Sequence, residues 1–137
     1  MMSEYRKVHQ FNVFVANSAV QVGLANYMSI PERYLQLANF YQQKRDFFRQ
    51  GLAQTSFQLY PCEGTFFQMA GYANIPQLAD KNEREVCEWL TREIGVAAIP
   101  LSSFYHKPSE NKTIRFCFAK KEETLRRGLE RLSRLAL

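Results

Sequence analysis

A chain of 137 residues is long enough for one compact domain with a single core and too short for two full ones. Hydrophobic residues make up 46% and charged residues 23%, which excludes a disordered or fibrous protein, and a formal charge of +5 permits an anionic partner without naming one. No apolar run approaches the roughly 20 residues of a membrane helix, and the opening MMSEYRKVHQ is polar where a secretory signal is apolar, so no membrane partner and a cytoplasmic location are expected.

In chain order, residues 3–28 carry Phe11, Val13, Phe14, Val15, Val20, Val22 and Leu24 with neither strand alternation nor a clean helical stripe, and two helical pieces around a bend are expected. Asn12, Asn17 and Ser18 can bond nearby backbone, which puts the bend near Asn17. Ser29-Ile30-Pro31 reads as a helix start, with Ser29 as the cap and Pro31 in the first turn. Tyr34, Leu37, Ala38, Tyr41, Phe48 and Leu52 then recur at spacings of three, four and seven, and predict one long helix over 31–53 that connects two bodies.

SFQLY, the turn residues Pro61-Cys62-Glu63-Gly64 and TFFQMAGY read as two strands around a loose hairpin or arch. Between Asn82 and Gly95 a helix is signalled at both ends and along its length. Asn82 and Glu85 form a possible capping box, Val86, Trp89, Leu90 and Ile94 form a stripe, and Gly95 suits the C-terminal cap. VAAIP reads as a short strand stopped by Pro100, LSSFYHKPSENK as a polar loop, and TIRFCFA as a strand with Ile114, Phe116 and Phe118 on one face. A last helix over about 122–135 carries Leu125, Leu129, Leu132 and Leu135. This order predicts an α/β (α+β) sandwich, a small mostly antiparallel sheet with helices packed on one face.

Three cysteines, Cys62, Cys87 and Cys117, are widely spaced with no CxxC pair, and with only two histidines in the chain they suggest packed thiols and no metal site. His9 reads as a packed or interfacial helix residue, and His106 as a loop residue beside Tyr105. Basic and acidic residues alternate in KNEREVCEWLTREIG, and Arg126, Arg127, Arg131 and Arg134 read as a solvated face of the last helix rather than a nucleic-acid or phosphate site. Arg115 is different, because it interrupts an apolar strand. Either that face of the strand is wet, or a carboxylate or phosphate offsets the desolvation of the guanidinium; the pattern leaves both open.

GVAAIPLSSFY (95–105), followed after a polar loop by IRFCFAKKEETLRRGLERL (114–132), resembles the C-terminal signature of class I and II aminotransferases, the fold-type I enzymes that use pyridoxal phosphate. PCEGTFFQM (61–69) resembles the strand that enters the site of those enzymes. RKVHQFNVFVANSAVQ (6–21) resembles the segment that follows the coenzyme lysine in methionine-preferring and kynurenine (glutamine) aminotransferases. Leu101 stands where many relatives have glycine, although the methionine-preferring branch resembles this chain there too. The resemblance covers nearly the whole chain.

It implies a C-terminal portion of such an enzyme, with residues 1–28 as the helical tail end of the large coenzyme-binding domain and 29–137 as the small domain, of which 29–54 is a connecting helix. It implies that Arg115 pairs with the substrate's α-carboxylate, that Phe67 lies near the substrate, and that Phe14 reaches the neighbouring subunit's pocket in a homodimer. The substrates implied are an amino acid of methionine, glutamine or aromatic type and a 2-oxo acid. The coenzyme lysine lies upstream in the family. Lys7, Lys44, Lys81, Lys107, Lys112, Lys120 and Lys121 all stand in charged or loop contexts, so no catalytic residue, no bound coenzyme and no activity are expected of this chain alone. The competing expectation is a stand-alone module that binds protein or nucleic acid through the apolar N-terminal helices and basic last helix. If residues 3–28 have lost a larger body, they should leave apolar surface exposed.

Overall fold

The computed structural model describes residues 1–107 and 111–135 and divides into two compact units, Met1–Ala38 and Asn39–Leu137. The first unit is helical. Helices α1 (Met2–Asn12) and α2 (Ser18–Met28) flank a bend, and Asn17 caps α2 by accepting from the Val20 N–H, as the sequence suggested. Tyr5 stacks on His9 at 5.9 Å, a contact within one exposed helix. No residue of α1 or α2 is buried, and Phe11 and Phe14 are 75% and 81% exposed.

The long helix expected over 31–53 is two helices, α3 (Glu32–Leu35) and α4 (Leu37–Leu52), interrupted at Gln36. A one-residue interruption preserves the three-and-four spacing of the flanking apolar side chains, so periodicity runs across it unseen. Ser29 does not cap the helix. Its hydroxyl donates to Asn26 O at 2.7 Å, and Pro31 occupies the cap position instead. Only the end of the apolar stripe is buried, at Phe48 and Leu52.

In the second unit a four-stranded antiparallel sheet has the order β1 (Gln58–Leu59), β2 (Phe67–Gly71), β4 (Thr113–Cys117), β3 (Ile99–Pro100). The outer strands are shorter than SFQLY and VAAIP suggested. Pro100 has no N–H to continue a ladder, which suits it to the end of an edge strand. Thr65 has φ 68°, left-handed backbone that a β-branched residue rarely adopts, and this keeps Thr65 out of β2.

Opposed residues share a face, so Gln68 with Phe116 and Ala70 with Ile114 form one side of the central pair. That side packs into a single apolar cluster with Phe48 and Leu52 of α4, Val86 and Leu90 of α5 (Glu83–Trp89), and Leu125 and Leu132 of α6 (Glu122–Leu132). Each such side chain contributes about 1.5–3 kcal/mol by leaving water. Gln68 is fully buried there yet satisfied: its amide donates to Tyr60 O and Met69 O, and its oxygen accepts from Arg49 of α4. The sandwich expected from the sequence is the fold observed.

Both ends of α5 follow the sequence closely. Asn82 and Glu85 form a reciprocal capping box, and after a π-helical turn over Leu90–Ile94 the chain leaves through Gly95 at φ 73°. A Cβ at Gly95 would also collide with the Arg131 guanidinium. Asn82→Ala is therefore expected to cost about 1 kcal/mol, and Gly95→Ala about 1–2 kcal/mol, both read from the midpoint of urea unfolding.

Candidate functional site

Strand β4 alternates, so with Ile114 and Phe116 committed to the core, Arg115 and Cys117 face the other side of the sheet. Arg115 lies between Met69 of β2 and Ile99 of β3, and Phe67, opposite Cys117, is its diagonal neighbour on the same face. The Phe67 ring lies 4.3 Å from the guanidinium carbon. A second ring, Phe104, lies 4.7 Å from it. Phe104 ends the 3-10 turn Leu101–Phe104 that follows β3. The half-buried cation is thus held between two aromatic rings, an arrangement worth on the order of 1 kcal/mol per ring.

The rings contact the cation without using its donors. Among the described residues, the Arg115 guanidinium pairs with no carboxylate and donates no hydrogen bond. It retains the planar fork of N–H groups that binds a carboxylate through both oxygens. Arg115 itself is half-buried, while Phe104 and Ile99 beside it are 58% and 41% exposed.

Phe67 and Arg115 are therefore brought together. Phe14 belongs to the first unit, in the link between α1 and α2. Tyr105 and His106 are exposed beyond the 3-10 turn. Sequence reasoning missed Phe104; the aromatic pair Phe104-Tyr105 in an otherwise polar loop was the available signal. It also passed over Glu83, which is 3% exposed. The Glu83 carboxylate accepts from the Ser102 N–H through one oxygen and from the Thr113 N–H, at 3.1 Å, through the other.

The described lysines do not suit a coenzyme Schiff base, which needs a desolvated amine facing the site. Lys7 is exposed and paired with Glu4, Lys44 donates to Lys120 O, Lys81 to Gln77 O and Lys112 to Ala79 O. Lys107, Lys120 and Lys121 are exposed. Pyridoxal phosphate therefore finds no fitting lysine among them. No group of three metal-ligating side chains occurs among the described residues, and no helix among them is long and apolar enough to cross a membrane.

Arg126, Arg127 and Arg134 are exposed, while Arg131 donates to Gly95 O at 2.9 Å. Cys87 is buried, and Cys62 and Cys117 are partly so.

The pattern of the family "Aminotransferase class I and II" matches residues 1–132. The chain belongs to this family. It is 47% identical over 134 residues to a methionine aminotransferase of Escherichia coli (strain K12), a match covering 97% of this chain and 34% of that protein. It is 27% identical over 151 residues to kynurenine–oxoglutarate transaminase 1 of Rattus norvegicus, covering 96% and 36%. Among solved structures, the methionine aminotransferase from Escherichia coli superposes with a TM-score of 0.83 at 45% identity, covering 96% of this chain and 34% of that one. N-succinyldiaminopimelate aminotransferase from Mycobacterium tuberculosis gives 0.80 at 29%, covering 98% and 35%. The chain thus spans about a third of the length of the relatives it matches, and the resemblance read from its motifs is borne out.

On α5, burial and then the Glu83 charge push the Cys87 thiol up from its ordinary 9.0 to about 12. Burial, with smaller contributions from Glu83, Cys87 and Glu85, pushes the Tyr72 phenol up from 10.0 to about 12. With folded values above unfolded ones, the unfolded chain loses these protons first. The associated stability is whole below about pH 9 and is lost as pH rises toward 12. Urea midpoints are expected to fall across that window, and less steeply at its lower end in Cys87→Ala; a variant profile parallel to the wild type would contradict the assignment.

Proposed function

We propose that this chain is the substrate-carboxylate-binding portion of a pyridoxal-phosphate-dependent aminotransferase, which exchanges an amino group between an amino acid and a 2-oxo acid. The observation that carries the reading is Arg115, half-buried between Phe67 and Phe104 with its donors uncommitted among the described residues. A substrate α-carboxylate accepts two parallel hydrogen bonds from such a fork, and the flanking rings limit rotation of the guanidinium. Phe67 and Phe104 give the adjoining wall an apolar, polarisable character suited to a thioether or aromatic side chain. Methionine, glutamine or an aromatic amino acid is the substrate class, in keeping with the names of the methionine and kynurenine relatives.

Pyridoxal phosphate, when bound, supplies the electron sink for the chemistry. The residues that hold it belong to the part of the relatives this chain does not span. By itself the chain is inactive and forms no Schiff base. Residues 1–28 close the large domain and 29–137 make the small one, and the intact enzyme is a homodimer in which Phe14 reaches the neighbouring subunit's pocket. The nearly bare Phe14 and Phe11 side chains support this, since soluble proteins rarely leave such apolar surface uncovered.

In the complete enzyme carrying this chain, Arg115→Ala is expected to lose about 2–5 kcal/mol of transition-state binding, about thirtyfold to several thousandfold in kcat/KM. Arg115→Lys, which keeps the charge and loses the fork, should recover only part of it. Unchanged kcat/KM in both variants would remove the carboxylate role. For the chain alone, added pyridoxal phosphate is expected to give no stoichiometric absorbance band that borohydride fixes onto one lysine.

A further inference from the structure

We propose that Glu83 is a positioning residue of the carboxylate site, setting the Phe104 ring against the Arg115 guanidinium. The inference rests on the reading of Arg115 given above. Glu83 is buried at the start of α5, pairs with no cation among the described residues, and takes both its hydrogen bonds from backbone. A buried carboxylate kept without a counter-ion is costly unless its oxygens are well satisfied, so the position calls for a reason. The reason lies in which two N–H groups it holds. Ser102 is two residues before Phe104 on the 3-10 turn, and Thr113 is two residues before Arg115 on β4.

The ring and the guanidinium that meet at 4.7 Å are thus borne by two segments clamped to the same side chain, one to each oxygen. Strand pairing alone fixes less. The β3–β4 ladder ends at Pro100 opposite Ile114, and beyond it the turn is tied within itself by the Tyr105 N–H to Ser102 O bond at 3.1 Å. Only a carboxylate suits this clamp. Its two ends are both acceptors, whereas an amide presents an acceptor at one end and a donor at the other, which must then face one of the two N–H groups. Removing either bond also leaves a backbone donor unpaired, that of Thr113 in a residue only 4% exposed.

The test uses the labelled chain in solution. Two flanking rings shift the Arg115 side-chain protons upfield, and Phe104→Leu, which leaves Glu83 untouched, defines the part of that shift owed to Phe104. Glu83→Gln is expected to lose the same part, with the Ser102 or Thr113 amide resonance moving and the far-UV circular dichroism unchanged. If the Arg115 shifts keep their wild-type values in Glu83→Gln while one of those amides moves, the inference is overturned. Should Glu83→Gln unfold the chain, Glu83→Asp, which keeps the charge and shortens the reach, is read by the same criterion.

In the complete enzyme, Glu83→Gln is expected to raise KM for the amino acid by about tenfold with a smaller change in kcat, the mark of a misplaced binding group. An unaltered KM overturns the inference as well. The two readings fail separately: Arg115→Ala with intact kcat/KM removes the carboxylate role and the functional half of this inference, whereas unmoved Arg115 shifts in Glu83→Gln remove this inference alone.

Discussion

The alternation of five residues in β4 is the constraint on which the rest depends. Ile114 and Phe116 enter the core, where Phe116 meets Phe48 and Phe57 edge-on at 6.0 and 5.5 Å. A slip of one residue would turn both into solvent and drive a guanidinium into the apolar cluster. The burial that fixes the sheet on its helices therefore also obliges Arg115 to face the other way. Stability and site are set by the same register, and neither can be shifted without the other.

On the far face, the surroundings of Arg115 come from two separate stretches of chain: Phe67 and Met69 from β2, and Phe104 from the turn after β3. None supplies a charge. An arginine whose nearest neighbours are aromatic keeps its cation less hydrated than in water and its donors unspent, and both properties strengthen its hold on an arriving anion.

What the sequence disclosed and what it withheld differ in the range over which the deciding contacts act. The capping box at Asn82 and Glu85, the left-handed exit at Gly95 and the two faces of β4 are settled within a few residues, and each was legible. The break at Gln36 leaves side-chain spacing intact and so escaped a periodic reading. Phe104 and Glu83 escaped for another reason. Their partners lie 11, 19 and 30 residues away in sequence, and no local pattern marks which backbone N–H a glutamate will meet once the chain has folded. Arg115 stood out within its strand, while the carboxylate proposed as its partner came from a family likeness and not from spacing.

Helices α1 and α2 are 11 residues each and bury nothing, and isolated helices shorter than about 12–15 residues are marginal in water. Their order therefore rests on whatever surface meets their apolar side chains, and less on the helices themselves.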